Sequence, residues 1–231
     1  MTTSRPRRGR PRASTREALE EIAFDLLLRD GYEATTLQAI MTAGGVGRST
    51  LFRYFGSKAG IVWGEFDRAV ERLRSALRDA DDVPVMTAVR AAVVQSTRLS
   101  QEAAPDSWLD RFRVLDRDAA LVAETAAHWR VWAETVSRYT AERTGLDAGA
   151  PVPAAIGGAV QAAYVAVLRQ WAATDRATDR TADGEPGGES DREPGGAAHE
   201  AVEAVDIGEL DRALRPVTDA FQAVLDGTPR G

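Results

Sequence analysis

No cysteine occurs among the 231 residues, so disulfides, thiol catalysis and thiolate metal sites are all excluded. There are only two histidines, His128 and His199, far apart and outside any ligand-spaced cluster, so no metal is expected. Lys58 is the sole lysine, and every other cation is an arginine. No alternating apolar and polar run marks a strand; almost every patterned segment follows the helical period. A Ser-His-Asp arrangement is missing as well. The glycine-rich Gly44-Gly45-Val46-Gly47 follows a short helical segment and not a strand, so it is no phosphate cradle. Neither catalysis nor a cofactor is expected. The start of the chain is basic without an apolar core, unlike a secretory leader, and the expected location is the cytoplasm.

Charge is present, and unevenly. The net charge is −6, yet residues 1–60 carry +4 and residues 61–231 carry −10. A basic head on an acidic body focuses a polyanion at one end.

Ser14 and Glu17 read as a capping box before an apolar stripe of Leu19, Ile22, Ala23, Leu26 and Leu27, which Gly31 ends. Thr35 and Gln38 read as a second box, opening a short helix to about Ala43. Gly44 and Gly45 then make a turn, a third short helix carries Thr50 to Phe55, and Ser57 caps a long fourth one. Further helices are expected over 85–103, 106–117 and 119–144. The stretch from Pro151 to Leu168 has one strongly polar side chain, Gln161, and is near the length of a membrane span. Its alanines and glycines make it only weakly apolar, so it reads as a buried helix of a bundle and no membrane is expected. Ala154, Gly158, Ala162 and Ala166 form a small-residue ridge on it. Residues 175–200 are low in complexity and read as a flexible loop. A last helix over about 206–226 aligns Ile207, Leu210, Leu214, Val217, Phe221 and Val224, with Pro216 expected to kink or divide it.

Three helices with a glycine turn between the second and third describe a helix-turn-helix. Three features favour that over an ordinary bundle. Arg5, Arg7, Arg8, Arg10 and Arg12 form an arm with no acid before Glu17, suited to a minor groove or phosphates. Lys58 opposes the dipole of the fourth helix unless a phosphate sits there. Arg48, Ser49, Thr50, Arg53 and Tyr54 crowd hydrogen-bonding groups onto the third helix, leaving Leu51 and Phe55 for the core.

Gly31-Tyr-Glu-Ala-Thr-Thr-Leu-Gln-Ala-Ile40, Gly45-Val46 and Thr50-Leu-Phe-Arg-Tyr-Phe-Gly-Ser-Lys58 resemble the signature of TetR-family regulators. The resemblance covers about the first 60 residues. It implies an all-α dimer whose third helix enters the major groove and whose effector spreads the two heads. On that basis Arg48, Ser49 and Thr50 would face base edges and nearby phosphates, while Tyr54, Thr36 and Lys58 would hold the backbone. Phe52, Gly47, Met41 and Gly44 depart from the family's usual tyrosine, serine and alanines. Arg8-Gly-Arg-Pro-Arg12, Arg53-Tyr-Phe and Trp63-Gly-Glu-Phe-Asp67 are similar to regulators found beside mycofactocin biosynthesis genes, a group associated with acyl-CoA sensing.

The expected organisation is an arm over 1–13, a helix-turn-helix domain over 14–56, and a helical ligand-binding and dimerisation domain over 57–231. Trp108, Phe112, Trp129, Trp132, Tyr139, Tyr164 and Trp171 fall in its sixth to eighth helices. Each is core by default, but together they suit an apolar cavity. His128 reads as a surface histidine. Arg98, Arg113, Arg117, Arg130 and Arg138 read mostly as solvated faces, one or two of which would meet an anionic head group. The expected partners are operator DNA, a second copy of the chain, and a small apolar effector of the long-chain acyl-CoA type. An architectural DNA-binding protein without effector, and an activator, are the alternatives.

Overall fold

A computed structural model of the chain describes residues 15–80, 82–105, 107–147, 149–182 and 206–227. The described residues form nine helices and no strand: α1 Arg16–Asp30, α2 Leu37–Gly44, α3 Arg48–Phe55, α4 Lys58–Arg78, α5 Val85–Ala103, α6 Trp108–Arg117, α7 Val122–Thr144, α8 Pro151–Ala182 and α9 Ile207–Gly227. Both expected N-caps lie one residue further on. Thr15 and Thr36, in extended backbone, accept the N–H of Ala18 and Ala39 at 3.1 Å each. Two adjacent hydroxyl residues fit the same pattern at both ends, and the second is the one in register with the N3 amide. Thr35 is instead buried and donates to the carbonyls of Gly31 at 2.8 Å and Leu26 at 3.2 Å, fastening the end of α1. Ser57 does cap α4, accepting from Gly60 N–H at 3.0 Å. The arm 1–13, Ser14 and residues 183–200 of the expected loop lie outside the described residues. Residues 175–182 continue α8 as helix where a loop was expected.

The chain divides into two compact units, and not at residue 57. One comprises residues 1–69 with 106–128; the other comprises 70–105 with 129–231. In the first unit α1 is a central rod. Leu19, Ile22, Ala23 and Leu26 pack with Ile40 of α2, Leu51 and Phe55 of α3 and Ile61 of α4. Phe24 and Leu27, on its other side, pack with Val62 and Trp63 of α4, Val114 and Leu115 of α6, and Leu121. Burying both faces fixes the angle at which α3 is presented.

In the second unit α9 packs on α5 and α8. Arg90 of α5 donates to Asp211 at 3.0 Å and Thr218 at 3.2 Å, and Met86 N–H donates to Gln222 Oε1 at 3.0 Å. Leu210, Leu214 and Thr218 are the buried stripe of α9; Val217 and Phe221 are half-buried and Val224 is exposed. Pro216 neither divides the helix nor lies in its core. It is exposed, so the carbonyl left without its amide partner faces water. Pro151–Thr174 of α8 is long and apolar enough by length and composition to cross a membrane. Ile156, Val160, Tyr164, Leu168 and Trp171 are buried on one side, whereas the ridge Ala154, Gly158, Ala162 and Ala166 is exposed in the single chain. The helix is therefore two-faced: one side is buried within the subunit and the ridge is left on the other.

Candidate functional site

The turn between α2 and α3 rests on Gly45, which takes the left-handed conformation (φ 64°, ψ 30°) that a side chain would strain. Val46 N–H closes the turn on the Met41 carbonyl at 3.1 Å. Gly47 is the N-cap of α3 and makes no side-chain cap, so the first amides of that helix stay open to a polyanion. Leu51 and Phe55 anchor α3 inward. Arg48, Ser49 and Arg53 are exposed, with Thr50 and Tyr54 half-buried beside them.

Aromatic faces hold several of these cations in place. The Arg48 guanidinium lies 5.0 Å from the Phe52 ring centre, so the phenyl supplies a platform in place of a hydroxyl. Arg53 lies 5.1 Å from Tyr54, and Arg16 lies 5.3 Å from Phe55. Thr36 is exposed at the start of α2; its cap uses a lone pair and leaves the hydroxyl proton free.

Lys58 is more constrained than its sequence position suggests. Its ammonium stands 4.0 Å above the Tyr32 ring and donates to the Tyr32 carbonyl. Burial lowers its pKa from the ordinary lysine value, against the pull of the Asp118 and Glu33 carboxylates. Burial also raises the Tyr32 phenol, helped by Glu124 and Asp118. One of three ammonium protons is engaged, leaving two for a phosphate.

An ion network beneath the head had no sequence signature. Glu20 of α1 is 2% exposed and accepts from Arg68 at 2.8 Å and from Arg111 at 3.0 Å. Arg111, itself buried, also donates to Glu21 at 2.6 Å and lies 5.0 Å from the Phe24 ring centre. Glu20 falls between Leu19 and Ile22, where the helical period had already assigned the core face. Only the half-buried Arg68 of α4 and the buried Arg111 of α6 explain a carboxylate there. Arg113 is buried and paired with Asp110, not solvated as expected. His128 is half-buried and not a surface residue: its ring stacks on Trp63 at 3.9 Å and lies 5.5 Å from Phe66.

The seven candidate effector aromatics are not one cluster. Trp108 and Phe112 are buried in the head unit. In the second unit Trp132 stacks on Tyr164 at 5.3 Å, and Trp129 meets both edge-on at 6.1 and 6.0 Å. The Tyr164 hydroxyl shares a 3.0 Å hydrogen bond with Thr97 of α5, and its burial raises the phenol pKa to about 12. Trp171 donates to Glu209 at 2.7 Å, bracing α8 on α9, and Tyr139 accepts from Arg143 at 2.7 Å. Arg98, Arg130 and Arg138 are exposed. Among the described residues no group of three His, Cys, Asp or Glu is placed to hold a metal.

The first helices match the sequence model of bacterial regulatory proteins of the tetR family over residues 21–62, and residues 83–183 match the MftR C-terminal domain of the same family. The chain belongs to the TetR family. It is therefore a DNA-binding transcriptional regulator. It is 29% identical over 138 residues to a protein of Mycobacterium tuberculosis (strain ATCC 25618 / H37Rv) described as a mycofactocin biosynthesis transcriptional regulator, MftR, covering 59% of this chain and 69% of that one. It is 30% identical over 139 residues to the HTH-type transcriptional regulator TcmR of Streptomyces glaucescens, covering 58% of this chain and 62% of that one. A crystal structure of a TetR-family regulator from Mesorhizobium loti MAFF303099 aligns with 90% of this chain and 95% of its own at 14% identity, with a TM-score of 0.48.

Proposed function

We propose that this TetR-family regulator is a cytoplasmic repressor, not an enzyme. As a homodimer it reads a palindromic operator, and a long-chain acyl-CoA releases it. The observation that carries the DNA half is the exposed row Arg48, Ser49 and Arg53 on a helix anchored from behind by Leu51 and Phe55. Bidentate arginine contacts to guanine suit such a row in the major groove. Thr36, Tyr54 and Lys58 flank it as donors to phosphates, and Arg5, Arg7, Arg8, Arg10 and Arg12 reach further along the duplex.

Support for the effector comes from the second unit. Trp129, Trp132 and Tyr164 give its interior an apolar aromatic surface, with Thr97 supplying the polar point. Arg98, Arg130 and Arg138 remain exposed to meet a phosphate-bearing head. The match of residues 83–183 to the MftR C-terminal domain, and a relative described as a mycofactocin regulator, agree with the resemblance from which an acyl-CoA is expected.

The experiment is a gel shift on a footprinted operator, titrated with acyl-CoAs of increasing chain length beside free CoA and the matching fatty acids. Footprinting should show an inverted repeat with half-sites one or more turns (~34–36 Å each) apart. Release should grow with chain length and need the CoA head. Retained DNA binding with every acyl-CoA at tens of micromolar would refute the ligand, and release by flat aromatic compounds would replace it.

A further inference from the structure

Beside the apolar contact of Leu121, one carboxylate of the turn joining α6 to α7 holds a peptide next to the DNA-reading helices. Asp118, the C-cap of α6, accepts the Tyr32 N–H on Oδ2 at 2.7 Å and the Ala120 N–H on Oδ1 at 3.0 Å. Tyr32 lies in the turn between α1 and α2, 86 residues away in sequence. Its carbonyl is the one that Lys58 caps. Tyr32 is thus fixed at both backbone groups, by an acid from the α6–α7 turn and by the lysine at the start of α4. Around this bond the two turns are open to solvent: a surface cavity of about 510 Å³ is lined by Asp30 to Ala34 and Asp118 to Ala120. The bond sits at the rim of a core in which Leu121 of the one turn and the half-buried Tyr32 of the other already pack with Phe24, Leu27 and Val62, so the carboxylate adds direction to a contact that packing alone does not orient. The other end of α6 is tied to α1 through Arg111, Glu20 and Glu21.

We propose that Asp118 is a positioning residue for DNA binding, setting through the Tyr32 backbone where Lys58 places its charge on a phosphate. Without the carboxylate, the Tyr32 N–H loses its acceptor and the peptide can tilt, while the Tyr32 ring stays packed on the core. The carbonyl then leaves Lys58, whose ammonium drops back into solvent. A flexible lysine in water contributes little to one fixed phosphate contact, because its rotamer entropy must be given up on binding. Asp118 touches no DNA in this scheme. It determines whether a residue that does is already in place.

This inference rests on the assignment of Lys58 to a backbone phosphate, and the experiment separates the two. Operator affinity is measured against salt for the full-length protein and for Lys58→Ala, Asp118→Ala, Asp118→Asn and the Lys58→Ala/Asp118→Ala pair. Asp118→Ala should weaken binding about tenfold and flatten the salt slope by about two units, one for each subunit of the dimer, as Lys58→Ala does. The double variant should match Lys58→Ala alone. Asp118→Asn, whose amide oxygen still accepts the Tyr32 N–H, should return affinity to within about twofold of the parent. Partial unfolding would lower the active fraction and leave the slope unchanged, so a weakened Asp118→Ala with the parent's slope overturns the proposal. Additive losses in the double variant, or parental affinity in Asp118→Ala, overturn it as well. If Lys58→Ala alone leaves affinity and slope untouched, the phosphate assignment fails, and this inference with it.

Discussion

A methyl group added at Gly60 would come within 2.0 Å of the Phe55 carbonyl oxygen. That oxygen belongs to the last residue of the helix presenting Arg48 and Arg53, and Gly60 sits in the first turn of α4. Backbone cannot step aside as a long side chain can, so Gly60→Ala must open the corner between the two helices. The expected cost is about 1–3 kcal/mol in the head, with weakened operator binding. Gly227→Ala is the control, since nothing lies within 4 Å of its added carbon and it ends α9. Chemical unfolding of both variants checks this, and equal stabilities would show that the corner yields freely. Tyr164 gives a pH prediction of definite sign. Its phenol is raised to about 12 by burial, against about 10 in an unfolded chain. Stability from the neutral phenol is complete below about pH 10 and is lost as pH rises through about 12, amounting to roughly 2–3 kcal/mol. Absorbance of phenolate should show a step near pH 12, apart from that of Tyr32, whose phenol burial also raises, and Tyr164→Phe should remove it. Ionisation of all four tyrosines near pH 10 in a still-helical protein would contradict the burial.

Helices were more legible in the sequence than the contacts between them. Gly31 and Gly56 end α1 and α3 where expected, and α5 has the expected bounds, because caps and apolar period act within one helix. The exposed face of α3 was legible for the same reason: once Leu51 and Phe55 are assigned inward, Arg48, Ser49 and Arg53 must point out. Glu20, Arg68, Arg111 and Asp118 were not legible. Each has meaning only through a partner 45 or more residues away, or through a turn whose approach no local pattern encodes. The aromatics were legible in part. Each was expected as core and all seven as suited to one apolar cavity, yet Trp108 and Phe112 serve the head unit, while Trp132 and Tyr164 pack together in the other. Residue type announces burial but not which core receives it. The ridge on α8 was legible as a pattern suited to close helix packing, and it is exposed in the single chain. Gly157, beside it, is the glycine that meets α7: an added carbon would lie 2.2 Å from Ser137 Oγ and 2.4 Å from the Ala133 carbonyl.

At the scale of the whole molecule, that ridge is the surface on which a second copy would pack. Ala154, Gly158, Ala162 and Ala166 repeat every four residues on a helix whose opposite face is filled, and all four are exposed in the single chain. On α9 the apolar stripe runs outward too, ending at Val224, which is 49% exposed. Small side chains let two helices approach closely, and a pair from each subunit would form the four-helix interface expected of a TetR-family dimer. Such an interface needs roughly 1,200–2,000 Å² of total buried surface, and two such helices per subunit can supply it. Ala162→Arg places a long cation at the centre of the ridge, where a single chain has room for it. The subunit should keep its helicity and its melting behaviour while the dimer dissociates, because burying an unpaired guanidinium in an apolar contact costs several kcal/mol. Sedimentation should report a monomer. On DNA, a monomer engages one half-site, so its affinity should fall and its salt slope should drop to about half. A variant that still sediments as a dimer, with the operator affinity of the parent, would place the contact on another face of the second unit.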